Sequence, residues 1–420
     1  MNPDARHLWT APRWALAILL ATLGMLGPFS IDTFLPAFAG IRQSLDATPL
    51  QMQQTLSVYL FGYAFMNFFH GALADSFGRR PVVLWGVGIF TLASVGCALS
   101  PTIGWLIFFR LLQGLSTGAG IVVSRAMIRD IFPPDEAQRV MSQVTIFFGV
   151  APAIAPIIGG WLFVHVDWRG IFWFLALGGT TLLLSNWRWL PETLAHADRQ
   201  PFRVQPLARG YYQLLSDARF LLLALASGVP FNGMFLYVLS APEFLGTHLG
   251  FGPTQFFWFF GFTISGTMLG AWLSGRLAGR ISPPRQIRWG FTVMFVIGVL
   301  NLGANMLFEA QAWWAIPPIA IFAFGWALNV PVVTLMVLDL FPQRRGMASS
   351  LQAVVASFAN GLVAGVVAPA VMHSTVGLAA TSLAMLGIGL AAWLLLRQRF
   401  PAVIEAADLP PAPIPGARTA

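Results

Sequence analysis

Two charged residues stand inside stretches that are otherwise apolar. Asp32 is the one acid in GMLGPFSIDTFLPAF, Gly24 to Phe38, and Arg110 is the one base in LIFFRLLQGLSTGAG, Leu106 to Gly120. A charge at the centre of a membrane helix is disfavoured by roughly 3 kcal/mol or more on insertion scales, so each needs a partner, a watery cavity or a task. Helical rise puts Asp32 about 9 Å and Arg110 about 13 Å below the same end of their spans. Desolvation favours a neutral acid and a neighbouring arginine favours the anion. A carboxylate between these influences can take up and release a proton, and a cationic passenger would compete for the same charge. Asp32 and Arg110 are therefore expected to line a central cavity and to couple protons to transport. Two other arrangements stay open: Asp32 could bond a helix end broken near Pro28 and Pro36, and Arg110 could snorkel to the interface.

Other chemistries have no residues to run them. The sequence contains no C-x-x-C, no H-E-x-x-H and no G-x-x-x-x-G-K-[ST]. Without a phosphate loop it is not an ATP-driven pump. No nucleophile, base and orienting group cluster as an enzyme would require. The one cysteine, Cys97, lies in an apolar run. No metal and no cofactor are expected.

The elements that must position Asp32 and Arg110 are membrane helices. Of the 420 residues, 57% are hydrophobic and 10% charged, where a soluble domain carries about 25% charged residues. Apolar runs give twelve spans, at 14–38, 52–73, 81–100, 102–125, 140–164, 170–190, 217–240, 254–275, 287–307, 313–337, 346–370 and 376–396. All 24 basic residues are arginine; 21 fall on one side of this arrangement and two, Arg42 and Arg169, on the other. Such asymmetry predicts that both termini are cytoplasmic. It also explains the net charge of +8 without nucleic acid. The N-terminus, 1–13, is read as cytoplasmic and uncleaved. The polar linker 191–216 divides a half at 14–190 from a half at 217–396, and the tail, 397–420, is expected to be cytoplasmic and to lack fixed structure.

The halves echo each other. GALADSFGRR after span two has a counterpart in GRLAGRISPPR after span eight. RDIFPPDEAQRVMSQ after span four has one in LDLFPQRRGMASSLQ after span ten, with Asp130, Phe132, Pro133 and Gln143 aligning to Asp339, Phe341, Pro342 and Gln352. Duplicated six-helix halves place a substrate site between them, near the midplane.

Four pieces carry a resemblance: GALADSFGRRP from Gly71, the Arg110, Gln113 and Gly114 register in span four, APIIGG ending at Gly160, and Asp32, Leu35 and Pro36 in span one. Together the chain resembles the Major Facilitator Superfamily over about 14–396, and within it the twelve-span drug:proton antiporters of the bicyclomycin and chloramphenicol resistance branch. Two departures are Ser76 in the loop and Ala155 where the span-five signature has glycine. The residues of the loop also make physical sense alone. Gly71 lets a helix approach, Asp75 faces a helix N-terminus or an arginine, Gly78 permits a turn, and Arg79 and Arg80 hold the loop inside. The resemblance implies that this loop is a latch between spans two and eleven. It implies that Pro152, Pro156, Gly159 and Gly160 form a hinge or seal that favours exchange over leak.

Weaker candidates for a substrate pocket are Tyr59, Tyr63 and Asn67, which share one face of span two and suit either a cavity or a helix seam, and Asn232, Met234 and Tyr237 on span seven. The expected function is proton-coupled efflux of amphipathic small molecules by a monomer in the bacterial inner membrane. The alternatives are export of one dedicated metabolite and a non-transporting receptor on the same fold.

Overall fold

The computed structural model describes residues 13–132, 151–199, 202, 204–278, 280–341 and 345–408. The segment 1–12, the loop from Pro133 with the first part of span five, Pro342, Gln143 and the tail beyond Asp408 lie outside the described residues. Among the described residues the chain is helical throughout, without strands.

The N-terminal half comprises α1 (Arg13–Asp32), α2 (Phe38–Ser44), α3 (Pro49–Phe77), α4 (Arg79–Ala98), α5 (Ile103–Ile131), α6 (Ala151–His165 as described) and α7 (Trp168–Trp189). The linker contains α8 (Val204–Leu215). The C-terminal half comprises α9 (Ala218–Leu239), α10 (Phe257–Leu277), α11 (Pro283–Leu307), α12 (Ala312–Ala315), α13 (Pro317–Leu340), α14 (Arg345–Leu362), α15 (Ala368–Val371) and α16 (Thr375–Arg399), followed by α17 (Pro401–Asp408).

Among the described residues, ten helices are long and apolar enough to cross a bilayer. Two further helices complete the twelve spans: α6, whose described part is short, and α3. The 29 residues of α3 reach about 44 Å, but Gln53, Ser57, Asn67 and His70 dilute its hydropathy. All four are buried, so the helix is polar toward protein rather than toward lipid. Thr48 and Gln51 form a capping box that starts it, and Gly78, at φ +102°, turns the chain out of it, as expected of that glycine.

The two halves pack by the same scheme. Contacts of α3 with α5, α4 with α5 and α4 with α7 recur as α10 with α13, α11 with α13 and α11 with α16. Close seams depend on missing side chains. A Cβ on Gly114 would strike the backbone of Tyr59, and one on Gly266 would strike the carbonyl of Ala320. Between the halves, α3 packs against α14 and the π-helical turn Val363–Val367 that follows it. Cys97 is fully buried within the N-terminal half.

The start of the tail, as far as Asp408, is helical. Val403 and Ile404 pack on the core from α17, which rests on α11 and α16; two adjacent apolar side chains give this end of the tail something to bury. The linker is likewise ordered at α8, where Leu214 is buried and Tyr211 stacks edge-on against Phe68.

Candidate functional site

Arg110 lies in the interior of the N-terminal half with 0% exposure. Its guanidinium is held between two rings, 4.7 Å from the centroid of Phe34 and 4.4 Å from that of Tyr59. Nη1 donates to the carbonyl of Ser30 at 3.2 Å and to Oε1 of Gln113 at 2.9 Å. Gln113 in turn donates to Ser94 on α4 at 2.8 Å. Nε and Nη2 have no hydrogen-bond partner, and no carboxylate pairs with Arg110 among the described residues. The spacing of Arg110 and Gln113, one turn apart, puts both on one face of α5. Tyr59 completes the cluster: its hydroxyl accepts from Ser30 Oγ at 2.9 Å and donates to the carbonyl of Gly27 at 3.1 Å, with Thr117 Oγ1 at 3.3 Å.

The sequence reading set Arg110 on a cavity wall. The structure corrects this: the side chain neither snorkels nor opens to a gap, because Gly114 draws α3 in against α5 and the two rings close over it. Aromatic faces and a backbone carbonyl compensate the desolvated cation in place of water.

Asp32 is the last residue of α1, at the break that precedes the 3-10 turn Leu35–Ala37. It is 5% exposed and has no hydrogen-bond or ion-pair partner among the described residues. Ser30, two positions earlier, points to Tyr59; two residues correspond to about 200° around a helix, so Asp32 projects from nearly the opposite face. Asp32 does not bond the broken helix end. Ser30 Oγ meets the carbonyl of Gly27 at 3.0 Å and Thr33 Oγ1 that of Phe29 at 2.7 Å, which leaves the carboxylate outside that network. Asp32 and Arg110 thus share one segment of α1 without touching.

The glycine pair of span five joins this segment to the other half. A Cβ on Gly159 would strike the carbonyl of Thr33, next to Asp32, and one on Gly160 would strike the carbonyl of Pro253 ahead of α10. Pro156 is buried and Pro152 half-buried on the same helix.

The loop after span two is knitted into its own half and the linker. Arg79 pairs with Asp75 at 2.5 Å and with Asp130 at 3.2 Å. Glu192, at the start of the linker, accepts from the backbone N–H of Arg79 at 3.0 Å and of Arg80 at 3.3 Å, and Thr193 donates to Asp130 at 2.9 Å. A Cβ added to Gly71 would lie 3.8 Å from Val122, an ordinary contact; its missing side chain is not needed for the helices to approach. Spans two and eleven do meet, farther along: Ser57 donates to the carbonyl of Gly361 at 2.9 Å.

The proposed pocket residues are mostly spent on internal packing. Tyr59 and Asn67 are buried in the α3–α5 seam, while Tyr63 is half-buried. Asn232 donates to the carbonyl of Gly228 at 3.1 Å, and Tyr237 accepts from Asn301 at 3.0 Å. Met234 and Tyr237 line a void of about 10 Å³, room for a single water at most. Asn232, Met234 and Tyr237 are therefore corrected to core positions of the C-terminal half. Sequence reasoning missed Ser30, Ser94 and Thr117, whose signal was small hydroxyls recurring inside apolar spans, and Phe34, which had no signal among so many aromatics. It also missed His70, buried beside Asn67 where both face Gly118.

A family model of the Major Facilitator Superfamily matches residues 20–364. The chain belongs to the Major Facilitator Superfamily. Its superfamily relatives include the bicyclomycin resistance protein homolog of Haemophilus influenzae, 31% identical over 353 residues that cover 83% of this chain and 87% of that one. Multidrug resistance protein D of Escherichia coli is 28% identical, covering 88% of this chain and 93% of that one. The chloramphenicol resistance protein of Pseudomonas aeruginosa is 28% identical, covering 78% and 75%. Solved structures with the same fold are a bacterial homolog of the human lysosomal transporter Spinster in an inward-facing, unoccupied conformation (TM-score 0.73, 17% identity, 95% of this chain and 99% of that one) and a D-xylose–proton symporter (TM-score 0.68, 13% identity, 91% and 98%). This superfamily member is a multi-pass membrane transporter and not an enzyme.

Proposed function

We propose that the protein exports amphipathic small molecules across the bacterial inner membrane in exchange for protons, with both termini in the cytoplasm. The observation that carries this reading is the isolation of Asp32. A carboxylate withdrawn from water, at a break in span one, with no cation and no donor committed to it, is free to hold a proton or to meet a charged passenger. Resistance proteins among its relatives supply the substrate class, drug-like molecules, and the arginine asymmetry supplies the orientation.

Arg110 acts as a positioning residue in this scheme. Its bond to the Ser30 carbonyl fixes α1 two residues from Asp32, so it sets where the carboxylate stands without pairing with it. The glycine pair of span five then ties the same segment to the opposite half, and the loop at Asp75, Arg79 and Arg80 stiffens the cytoplasmic end. The working unit is taken as a monomer, with no nucleic-acid partner.

The test is transport in proteoliposomes under an imposed pH gradient. Wild-type protein should release protons from the acidic compartment when chloramphenicol or ethidium is added, and Asp32→Asn should remove that coupling while the variant remains folded by thermal melting. Proton-coupled transport retained by Asp32→Asn refutes the assignment.

A further inference from the structure

On the surface of the N-terminal half, α4 and α7 leave a groove of about 510 Å³ whose lining includes Arg80, Leu84, Trp85, Gly88, Leu92 and Trp187. We propose that this groove binds one anionic phospholipid of the cytoplasmic leaflet, its phosphate at Arg80 and one acyl chain along the notch at Gly88.

The shape comes first. The α4 residues of the groove recur at three- and four-residue intervals, which makes a continuous stripe. A Cβ built on Gly88 would have nothing within 4 Å, so the glycine is not there for helix packing; it opens a furrow. From Arg80 to Leu92 the stripe runs about 18 Å, similar to one leaflet of a hydrocarbon core roughly 30 Å thick. Trp85 is 73% exposed and Trp187 63%, so the walls face hydrocarbon.

Charge decides the headgroup. Arg80 is the one charged residue lining the groove, and it lies at the arginine-rich end. One of its N–H groups donates to the carbonyl of Trp187, and Nε is buried without a partner. The neighbouring carboxylate, Glu192, is occupied by the backbone N–H groups of Arg79, Arg80 and Leu194 and by Arg199. Among the described residues no acid pairs with the Arg80 guanidinium. A cation at headgroup depth, above an apolar furrow and between two tryptophans, suits a phosphodiester with a tail. A free phosphate would leave the furrow unfilled. The proposal is independent of Asp32 and of what is transported.

The experiment is native mass spectrometry of the full-length protein in micelles doped with equal amounts of phosphatidylglycerol and phosphatidylcholine of matched chains. Wild type should retain one phosphatidylglycerol with about fivefold preference, the equivalent of the roughly 1 kcal/mol that an arginine contributes near a membrane surface. Arg80→Gln should erase the preference. Gly88→Phe, and more mildly Gly88→Leu, should lower retention of both lipids by filling the furrow. Gly387→Phe, at another glycine with open space around it, should behave as wild type. Glycerol phosphate in excess should displace nothing. Unchanged retention in folded Gly88→Phe and Gly88→Leu, an undiminished preference in Arg80→Gln, or displacement by glycerol phosphate would overturn the site.

Discussion

Ser57 and Gly361 belong to different halves of the transporter and share a hydrogen bond of 2.9 Å, from the serine hydroxyl to the glycine carbonyl. Around it Phe61 meets Phe358 edge-on at 5.2 Å, and Gln53 donates to the carbonyl of Leu239 at 3.1 Å. These residues lie in the first half of α3, toward the arginine-poor end, and Gly160 meets Pro253 at the same end. The halves are clasped there, and an opening at the arginine-poor end must undo the clasp.

Ser57→Ala should therefore favour the state opened at the arginine-poor end. Loss of one such bond amounts to about 1 kcal/mol, or roughly a fivefold change in the ratio of the two states. Pulsed electron resonance between spin labels at the exposed positions Asp46 and Thr247 reads the separation. An unchanged distance distribution would show that the bond does not hold the halves.

Arg110→Lys should not substitute for arginine. An ammonium group lacks the plane that lies between Phe34 and Tyr59, and it is a more strongly hydrated charge than the guanidinium that Nη1 presents to the Ser30 carbonyl and Gln113. A loss of about 2 kcal/mol is expected, seen as a lower melting temperature in detergent, together with weakened coupling because α1 is no longer fixed beside Asp32. Gln113→Leu should reproduce part of the melting shift, since it removes one acceptor.

The framework was legible in the sequence because its signal is local: apolar runs and loop arginines are read one segment at a time. The site was legible only in part. Asp32 and Arg110 were conspicuous as charges in apolar surroundings, but whether they meet depends on the rotation of α1 against α5, which glycine contacts such as Gly114 on Tyr59 determine. Nothing in the order of residues reports that rotation. Phe34 and Tyr59 went unassigned to Arg110 for the same reason, since one lies in the break after α1 and the other on α3. The short helix Pro401–Asp408 was not read because the Pro-rich stretch after it hid the pair Val403 and Ile404.

Gly159→Ala and Gly160→Ala should differ although the residues are adjacent. The first pushes on Thr33 and so moves the segment carrying Asp32; it should lower protons exchanged per substrate in the liposome assay. The second pushes on Pro253 and so parts the halves; it should lengthen the spin-label distance between positions 46 and 247 with coupling less affected. Identical phenotypes would argue that α6 responds as one rigid piece.

Asp217 caps α9 and is gripped by Arg219, whose Nη2 lies 2.7 Å from Oδ2. The arginine and the helix-start N–H groups hold the carboxyl below the ordinary carboxylate value, about 3.9. With the folded value depressed, its contribution is complete above that ordinary value and fades as pH falls through the lower, folded one. Asp217→Asn should thus be less stable than wild type at pH 7, where the charged cap contributes in full, and the two should converge below about pH 4, so that the variant melts with a flatter dependence on acidity. A steeper acid dependence in the variant would contradict this.

The burial of Cys97 makes the native chain a quiet background for thiol chemistry. Water-soluble maleimides meet no reactive target in the folded protein, so a cysteine introduced at a loop or along the clasp would report alone, without first stripping the chain of its own sulfhydryl. Slow labelling of Cys97 itself would then serve as a clock for the loosening of the N-terminal half.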